Sequence, residues 1–152
     1  MWLAKPLTCA HDGGDHTGVA TRYFTPDEAN KALDEVRPLT EELVEHRRAL
    51  VAFQEQQAAL TARIAGNGGD LDPFELQDVQ KRLDEAVEGI ARCVAQIHEA
   101  GGLVKDLDEG LVDFPAQRDG EDILLCWRLG ETEVGFWHGV EEGFSGRRPL
   151  PL

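Results

Sequence analysis

Positive charge is scarce in this chain of 152 residues: 15 lysines and arginines stand against 29 acidic residues, a formal net charge of −14. Such a chain repels phosphate backbones and anionic headgroups, so neither nucleic acid nor a membrane surface is expected as a partner. Basic proteins and divalent cations remain compatible with it. Long apolar runs are missing too, and nothing approaches the roughly 18 residues needed to cross a bilayer. Lys5 has no apolar segment behind it, so no secretory signal is expected. Cysteine is sparse: Cys9, Cys93 and Cys126 are far apart and odd in number. That pattern suits reduced thiols in a cytoplasm rather than a disulfide framework. The hydrophobic share of 41% argues against wholesale disorder, and the length allows one domain with a real core.

Residues 1–21, MWLAKPLTCAHDGGDHTGVAT, show neither helical nor strand periodicity and read as a flexible leader. Cys9, His11 and His16 are zinc-ligand types, but their spacing fits no motif, and a mobile polar tail is the plainer reading. Residues 22–152 form the single domain, with a helical part over 22–101 and a strand-rich part over 102–152.

"TPDE" puts Thr25 at an N-cap, Pro26 at the first helical position and Glu28 three residues after the cap. "DPFE" repeats the device with Asp72, Pro73 and Glu75. The spacing predicts one helix over 26–65, kinked near Pro38, and a second over 73–100 that stops at Gly101-Gly102. "GNGGD" between them is a turn. Both helices carry heptads: Val36, Leu43, Leu50 and Ile64 with Leu39, Phe53 and Leu60, then Leu76, Leu83, Ile90 and Ile97 with Val79 and Cys93. Folding the chain at Gly68 sets Leu60 against Leu76, Phe53 against Leu83, Leu39 against Ile97 and Val36 against Ala100. An antiparallel, coiled-coil-like hairpin follows. His46 falls opposite Ile90, one layer from Cys93. It either touches that thiol or, with Gln57, occupies the wet edge of the seam; the second reading is preferred.

Beyond residue 102 the period changes. "LVDFPAQ", "EDILLCWR" and "TEVGFWH" are strand-like, separated by "RDG" and "LGE" turns. A type I′ turn at Asp119-Gly120 and a type II′ turn at Gly130-Glu131 would define the faces. One face then collects Val112, Phe114, Ala116, Ile123, Leu125, Trp127, Val134, Phe136 and His138. The other collects Asp113, Leu124, Cys126, Arg128, Glu133, Gly135 and Trp137, with Arg128 across from Glu133. Pro115 is expected on an edge strand. In this register Cys126 and His138 point to opposite faces. Even a longer loop would leave them offset by roughly 13 Å along the strand, so "CWRLGETEVGFWH" reads as a hairpin rather than a zinc or nucleophile pair.

Three other groupings could carry chemistry. Asp113 pairs with Cys126, which faces Gly135 beside Trp137 and Arg128; the alternative is a small apolar cysteine on a half-covered sheet. Asp106, Asp108 and Asp113, with Glu109, surround Gly110 as carboxylates suited to a divalent cation, although the glycine is misplaced for an EF-hand. Arg147 and Arg148 could clamp a carboxylate or phosphate, or bridge to the acidic helices or another subunit, which is the preferred reading.

"YFTPDEAN", "GGLVKDLDEGLVDFPA", "LLCWRLGE" and "WHGVEEGFSGRRPL" together resemble the prokaryotic domain of unknown function family 2203, over about Arg22 to Leu150. The resemblance implies a small soluble prokaryotic protein and transfers no catalytic residue, cofactor or activity.

The expected fold is α+β: a long antiparallel helical hairpin packed on a three-stranded antiparallel meander. The expected function is a non-enzymatic cytoplasmic adaptor, a homodimer that binds another protein and needs no cofactor. Its contact residues would come from Asp113, Cys126, Arg128, Trp137, His138, Arg147 and Arg148. The alternative is a small-ligand or divalent-cation-dependent enzyme with an acidic site at Asp106, Asp108 and Asp113.

Overall fold

A computed structural model describes residues 21–67 and 72–152. The expected leader, apart from Thr21, and the Gly68 turn lie outside the described residues, and with them the Cys9, His11 and His16 grouping. Helix α1 spans Pro26–Asn67 and α2 spans Pro73–Glu99. Thr25 Oγ1 accepts the Glu28 N–H at 3.2 Å while Glu28 Oε2 accepts the Thr25 N–H at 2.9 Å, a reciprocal capping box. At α2 the Asp72 carboxylate instead takes the Phe74 N–H at 3.0 Å, and Glu75 turns toward Arg63. The second start is therefore a simple N-cap. Helix α1 continues through Pro38 as one element; the ring forfeits a single backbone donor. Helix α2 ends as the two glycines predict. Gly102 N–H returns to Ile97 O at 3.0 Å and Gly101 N–H to His98 O at 2.9 Å, with Gly101 at φ +94°. A side chain at Gly101 would also collide with the Phe24 ring.

The helices pack antiparallel. Away from the sheet, Leu60, Val79 and Leu83 form a small core flanked by Leu50, Phe53 and Leu76. Near the sheet, Ala29, Leu33, Val36 and Leu43 of α1 and Cys93 and Ile97 of α2 join the main core.

The sheet has five antiparallel strands in sequential order, not three: β1 Leu103–Asp106, β2 Leu111–Arg118, β3 Glu121–Arg128, β4 Phe136–Gly139 and β5 Arg148–Pro149. The two additions are strands of four and two residues, too short to show an alternation. The β2–β3 hairpin matches expectation, with Arg118 paired to Glu121 and positive φ at both Asp119 (51°) and Gly120 (81°). Pro115 lies on β2 beyond the reach of β1, and its carbonyl takes the Phe24 N–H at 2.7 Å. The proline thus occupies an edge stretch of an otherwise internal strand.

The β3–β4 connection departs from expectation. The turn closes one residue early, with Glu131 N–H on Arg128 O at 3.0 Å and Gly130 at φ +102°. Residues 129–135 then form a longer connection that does not continue the β3 ladder and is fastened to α1 and to the Trp127 side chain. Arg37 donates to the carbonyls of Glu131 (2.9 Å) and Thr132 (2.8 Å), Trp127 Nε1 donates to Glu131 O at 3.0 Å, and Val134 N–H donates to Asn30 Oδ1 at 2.7 Å. Strand β4 consequently pairs Cys126 with Phe136, Leu125 with Trp137 and Leu124 with His138. Arg128 does not face Glu133; it is paired with Leu111 in the ladder, and its guanidinium lies 3.9 Å from Glu109.

This slip inverts the strand. Trp137 enters the core with Val112, Phe114, Leu125, Trp127 and Val134, while Phe136 and His138 move to the opposite face. That face is covered as well. Asp113, Cys126 and His138 are buried there beneath the chain segment carrying Val140, Phe144 and Arg147. Among the described residues no helix is long and apolar enough to cross a membrane.

Candidate metal centre

Three adjacent strands bring together three different donor atoms. Asp113 on β2 lies directly across from Cys126 on β3, and His138 on β4 is diagonal to it, opposite Leu124. On one face of a sheet such directly opposed and diagonal positions are within reach of long side chains. The Asp113 carboxylate, the Cys126 sulfur and the His138 ring nitrogen all lie within 4.8 Å of one another. The expectation that Cys126 and His138 point apart is thereby overturned, because the register that separated them does not form. Gly135 does not face Cys126 and Trp137 does not wall it; Phe136 is its neighbour on β4.

The hydrogen bonds define the histidine. Nδ1 of His138 lies 2.8 Å from the Gly139 carbonyl, which can only accept, so this nitrogen carries a proton. Nε2 then faces Asp113 Oδ2 at 3.1 Å. Asp113 Oδ1 is buried without a partner. An orphaned carboxylate oxygen is costly in a side chain that is 3% exposed. The thiol of Cys126 is pushed up to about 12, by burial first and then by the neighbouring Asp113 charge, against the opposing pull of Arg147. It therefore stays protonated and is no poised nucleophile. Native protein should accordingly resist iodoacetamide at Cys126 and at Cys93, whose thiol burial likewise raises. Peptide mapping should find both labelled only after denaturation; fast native labelling of Cys126 would contradict this burial.

The donors line a cavity of about 340 Å³. Leu111, Leu124, Val140 and Phe144 supply its apolar wall, and Lys105, Asp106 and Glu142 its charged lining. The other acidic candidates do not converge there. Asp106 Oδ1 accepts the N–H groups of Asp108 (2.9 Å) and Glu109 (2.7 Å), closing the β1–β2 turn, and Asp108 pairs with Arg47 at 2.8 Å. Of these turn carboxylates, Asp106 alone shares the cavity with Asp113.

The two tail arginines find acidic partners within the chain, though on the β3–β4 connection and the tail rather than on the helices. Arg148 pairs with Glu142 at 2.8 Å and, like Arg118, lies 4.8 Å from the Trp137 ring. That arrangement borders a larger cavity of about 710 Å³ without convergent donors. Arg147 is nearly buried, grips both oxygens of Glu131 at 2.7 Å, and donates to the Cys126 carbonyl at 3.2 Å. Phe136 and Phe144 flank it at 4.1 and 4.6 Å.

Burial alone would raise the Glu131 carboxyl, but hydrogen bonds from Arg147 and the Arg128 N–H outweigh it and hold the group below the ordinary range. The unfolded chain then takes up the proton first. The stabilisation is complete above about pH 4.3, the unfolded glutamate value, and is lost as pH falls toward the lower folded value. Glu131→Gln should cost on the order of 2 kcal/mol at neutral pH, below the full penalty of a broken buried pair because Glu131 is 19% exposed. It should also flatten the acid limb of the stability curve. Urea midpoints at neutral pH and at about pH 3 check this, and an unchanged acid limb would assign the effect elsewhere.

A second donor grouping, Glu42, His46 and Cys93, sits between the helices. His46 thus comes within reach of Cys93, and its ring packs on Gly89, where a Cβ would lie 2.5 Å away. Glu42 Oε1 already receives Arg92 at 2.8 Å and faces His46 Nε2 at 3.2 Å; the Arg92 bond first, and His46 second, hold its carboxyl low. A guanidinium on the prospective ligand makes this the poorer cation site. Gln57 keeps its expected wet edge, bonded to Gln80 at 3.0 Å.

The model of a family described as uncharacterized conserved protein (DUF2203) matches residues 22–150. No curated protein and no solved structure matches the chain.

Proposed function

The chain belongs to the DUF2203 family, and for this member we propose a divalent transition-metal centre built from Asp113, Cys126 and His138. The observation that carries the reading is the convergence of three buried donors within 4.8 Å, one of them bearing an unpartnered oxygen. A cation resolves what is otherwise unfavourable there: it engages Asp113 Oδ1, displaces the high-lying thiol proton and occupies His138 Nε2. The Nδ1–H bond to the Gly139 carbonyl is the kind of outer contact that orients a ligating imidazole. Thiolate and imidazole together select Zn²⁺ or a similar borderline metal over Mg²⁺ or Ca²⁺. Three protein ligands leave a fourth position, and the adjoining cavity gives an exogenous molecule access to it. This is the cation-dependent alternative, moved from the Asp106–Asp108 turn to the covered face of the sheet. A reducing cytoplasm would keep Cys126 available as a ligand.

A second reading concerns assembly. Phe74 (75% exposed), Val87, Val51 and Ile64 are apolar side chains left uncovered on the hairpin, which suits a coiled-coil-like adaptor that pairs with a second copy.

Native mass spectrometry of the full chain with added Zn²⁺, before and after a chelator, tests both readings. One retained zinc per chain that the chelator removes supports the centre, and its absence at micromolar Zn²⁺ defeats it. A monomer mass throughout would remove the assembly reading.

A further inference from the structure

Resting on the metal centre just proposed, we infer that Arg147 is its positioning residue: the Nε–H donates to the Cys126 sulfur once that atom is a metal-bound thiolate, fixing the ligand and drawing charge from it. An orphaned donor points to this role. Among the described residues, two buried side-chain atoms have no hydrogen-bond partner, Asp113 Oδ1 and Arg147 Nε. Both belong to neighbours of Cys126. Asp113 lies directly across from it on β2, and Arg147 Nη2 holds its carbonyl at 3.2 Å. One orphan is an acceptor suited to a cation, the other a donor suited to an anion.

A guanidinium is a planar, rigid fork, so its edges are filled separately. Nη1 and Nη2 together take the two oxygens of Glu131 at 2.7 Å, which uses the end of the group. The other Nη2 hydrogen and the Nε hydrogen lie parallel along its side. The first of these is on the Cys126 carbonyl, so the second is turned toward the same residue. The rings of Phe136 and Phe144, at 4.1 and 4.6 Å, hold the guanidinium but give no lone pair to an N–H in its plane. A protonated thiol is a weak acceptor, whereas a thiolate makes a charge-assisted bond. A cation on Asp113, Cys126 and His138 therefore satisfies both orphans at once. With charge drawn from the sulfur, the metal is a stronger Lewis acid toward whatever binds at the fourth position.

The test uses the full chain loaded with Co²⁺, whose sulfur-to-cobalt band reports the electron density on the thiolate. Arg147→Lys puts a methylene where Nε stands and keeps a cation for Glu131. The expected result is a shift of that band to longer wavelength, with Zn²⁺ affinity about 10- to 100-fold weaker, the usual loss for an outer partner of a ligand. Glu131→Gln is the control. It slackens the far end of the guanidinium, keeps the Nε–H, and should leave the band where the parent has it. In isotope-labelled parent chain the Arg147 Nε–H proton should move downfield on adding Zn²⁺, a measurement that depends on no variant. An unmoved band in Arg147→Lys, an equal shift in both variants, or an Nε–H proton indifferent to Zn²⁺ overturns the inference and leaves the metal centre standing. A Co²⁺-treated parent chain without a sulfur-to-cobalt band removes the centre and this inference together.

Discussion

Cys126→Ala is expected to lower Zn²⁺ affinity by more than about a hundredfold, since losing even an outer-shell partner costs about 10- to 100-fold and a thiolate is a primary ligand. Cys93→Ala, in the grouping where Arg92 already occupies Glu42, should leave the affinity within about threefold, as a site sharing no contacts with it. The pair of variants separates the sheet site from the helical one, because both lose a buried thiol but only one loses a proposed ligand. Competition against a chromophoric chelator reads the difference directly. His138→Gln and Asp113→Asn should fall with Cys126→Ala rather than with Cys93→Ala, and Asp113→Asn tests the orphaned oxygen with almost no change of shape. If Cys126→Ala binds Zn²⁺ as the parent does, the sheet site is not where the metal goes.

Trp127→Ala should destabilise the fold by about 3–5 kcal/mol, the range for an aromatic removed from a closed core. Trp127 is fully buried in the main core, its Nε1–H holds the Glu131 carbonyl at 3.0 Å, and Arg37 lies 5.3 Å from its ring. Two consequences are mixed in that substitution, and Trp127→Phe separates them. Phenylalanine keeps most of the apolar volume but cannot donate, so about 1–3 kcal/mol of the loss should remain. The β3–β4 connection should loosen with it, visible as faster amide exchange at Val134 and in β4. Urea unfolding gives the first quantity and hydrogen exchange the second. A Trp127→Phe protein with parental stability and unchanged exchange would mean that the indole bond does not hold the connection in place.

That connection separates what could be read along the chain from what could not. The helix starts at Pro26 and Pro73, the glycine stop at Gly101-Gly102 and the apolar cluster that holds Leu60 and Leu76 together all rest on neighbours within a few residues or on a heptad that repeats many times. The β2–β3 hairpin is equally local: Asp119-Gly120 admits positive φ at both positions, so the ladder from Arg118–Glu121 to Leu111–Arg128 follows. Asp113 opposite Cys126 was therefore legible, and so was the family resemblance, carried by phrases such as "LLCWRLGE". The direction of His138 was not. One signal was available, since placing Trp137 rather than His138 on the core face buries more apolar surface at less polar cost.

Local chemistry along the chain thus settled the helices, their antiparallel pairing and half of the sheet. Tertiary structure decided which face each residue of β4 presents. A strand has a period of two, so a single residue of slip in the preceding connection turns every side chain over. The contacts that set the slip come from α1, with Arg37 reaching Glu131 across 94 positions and Asn30 reaching Val134 across 104. No local pattern encodes bonds of that span. They place Trp137 in the core and turn His138 toward Asp113 and Cys126, adding a third buried donor to a pair that the chain alone had already set side by side.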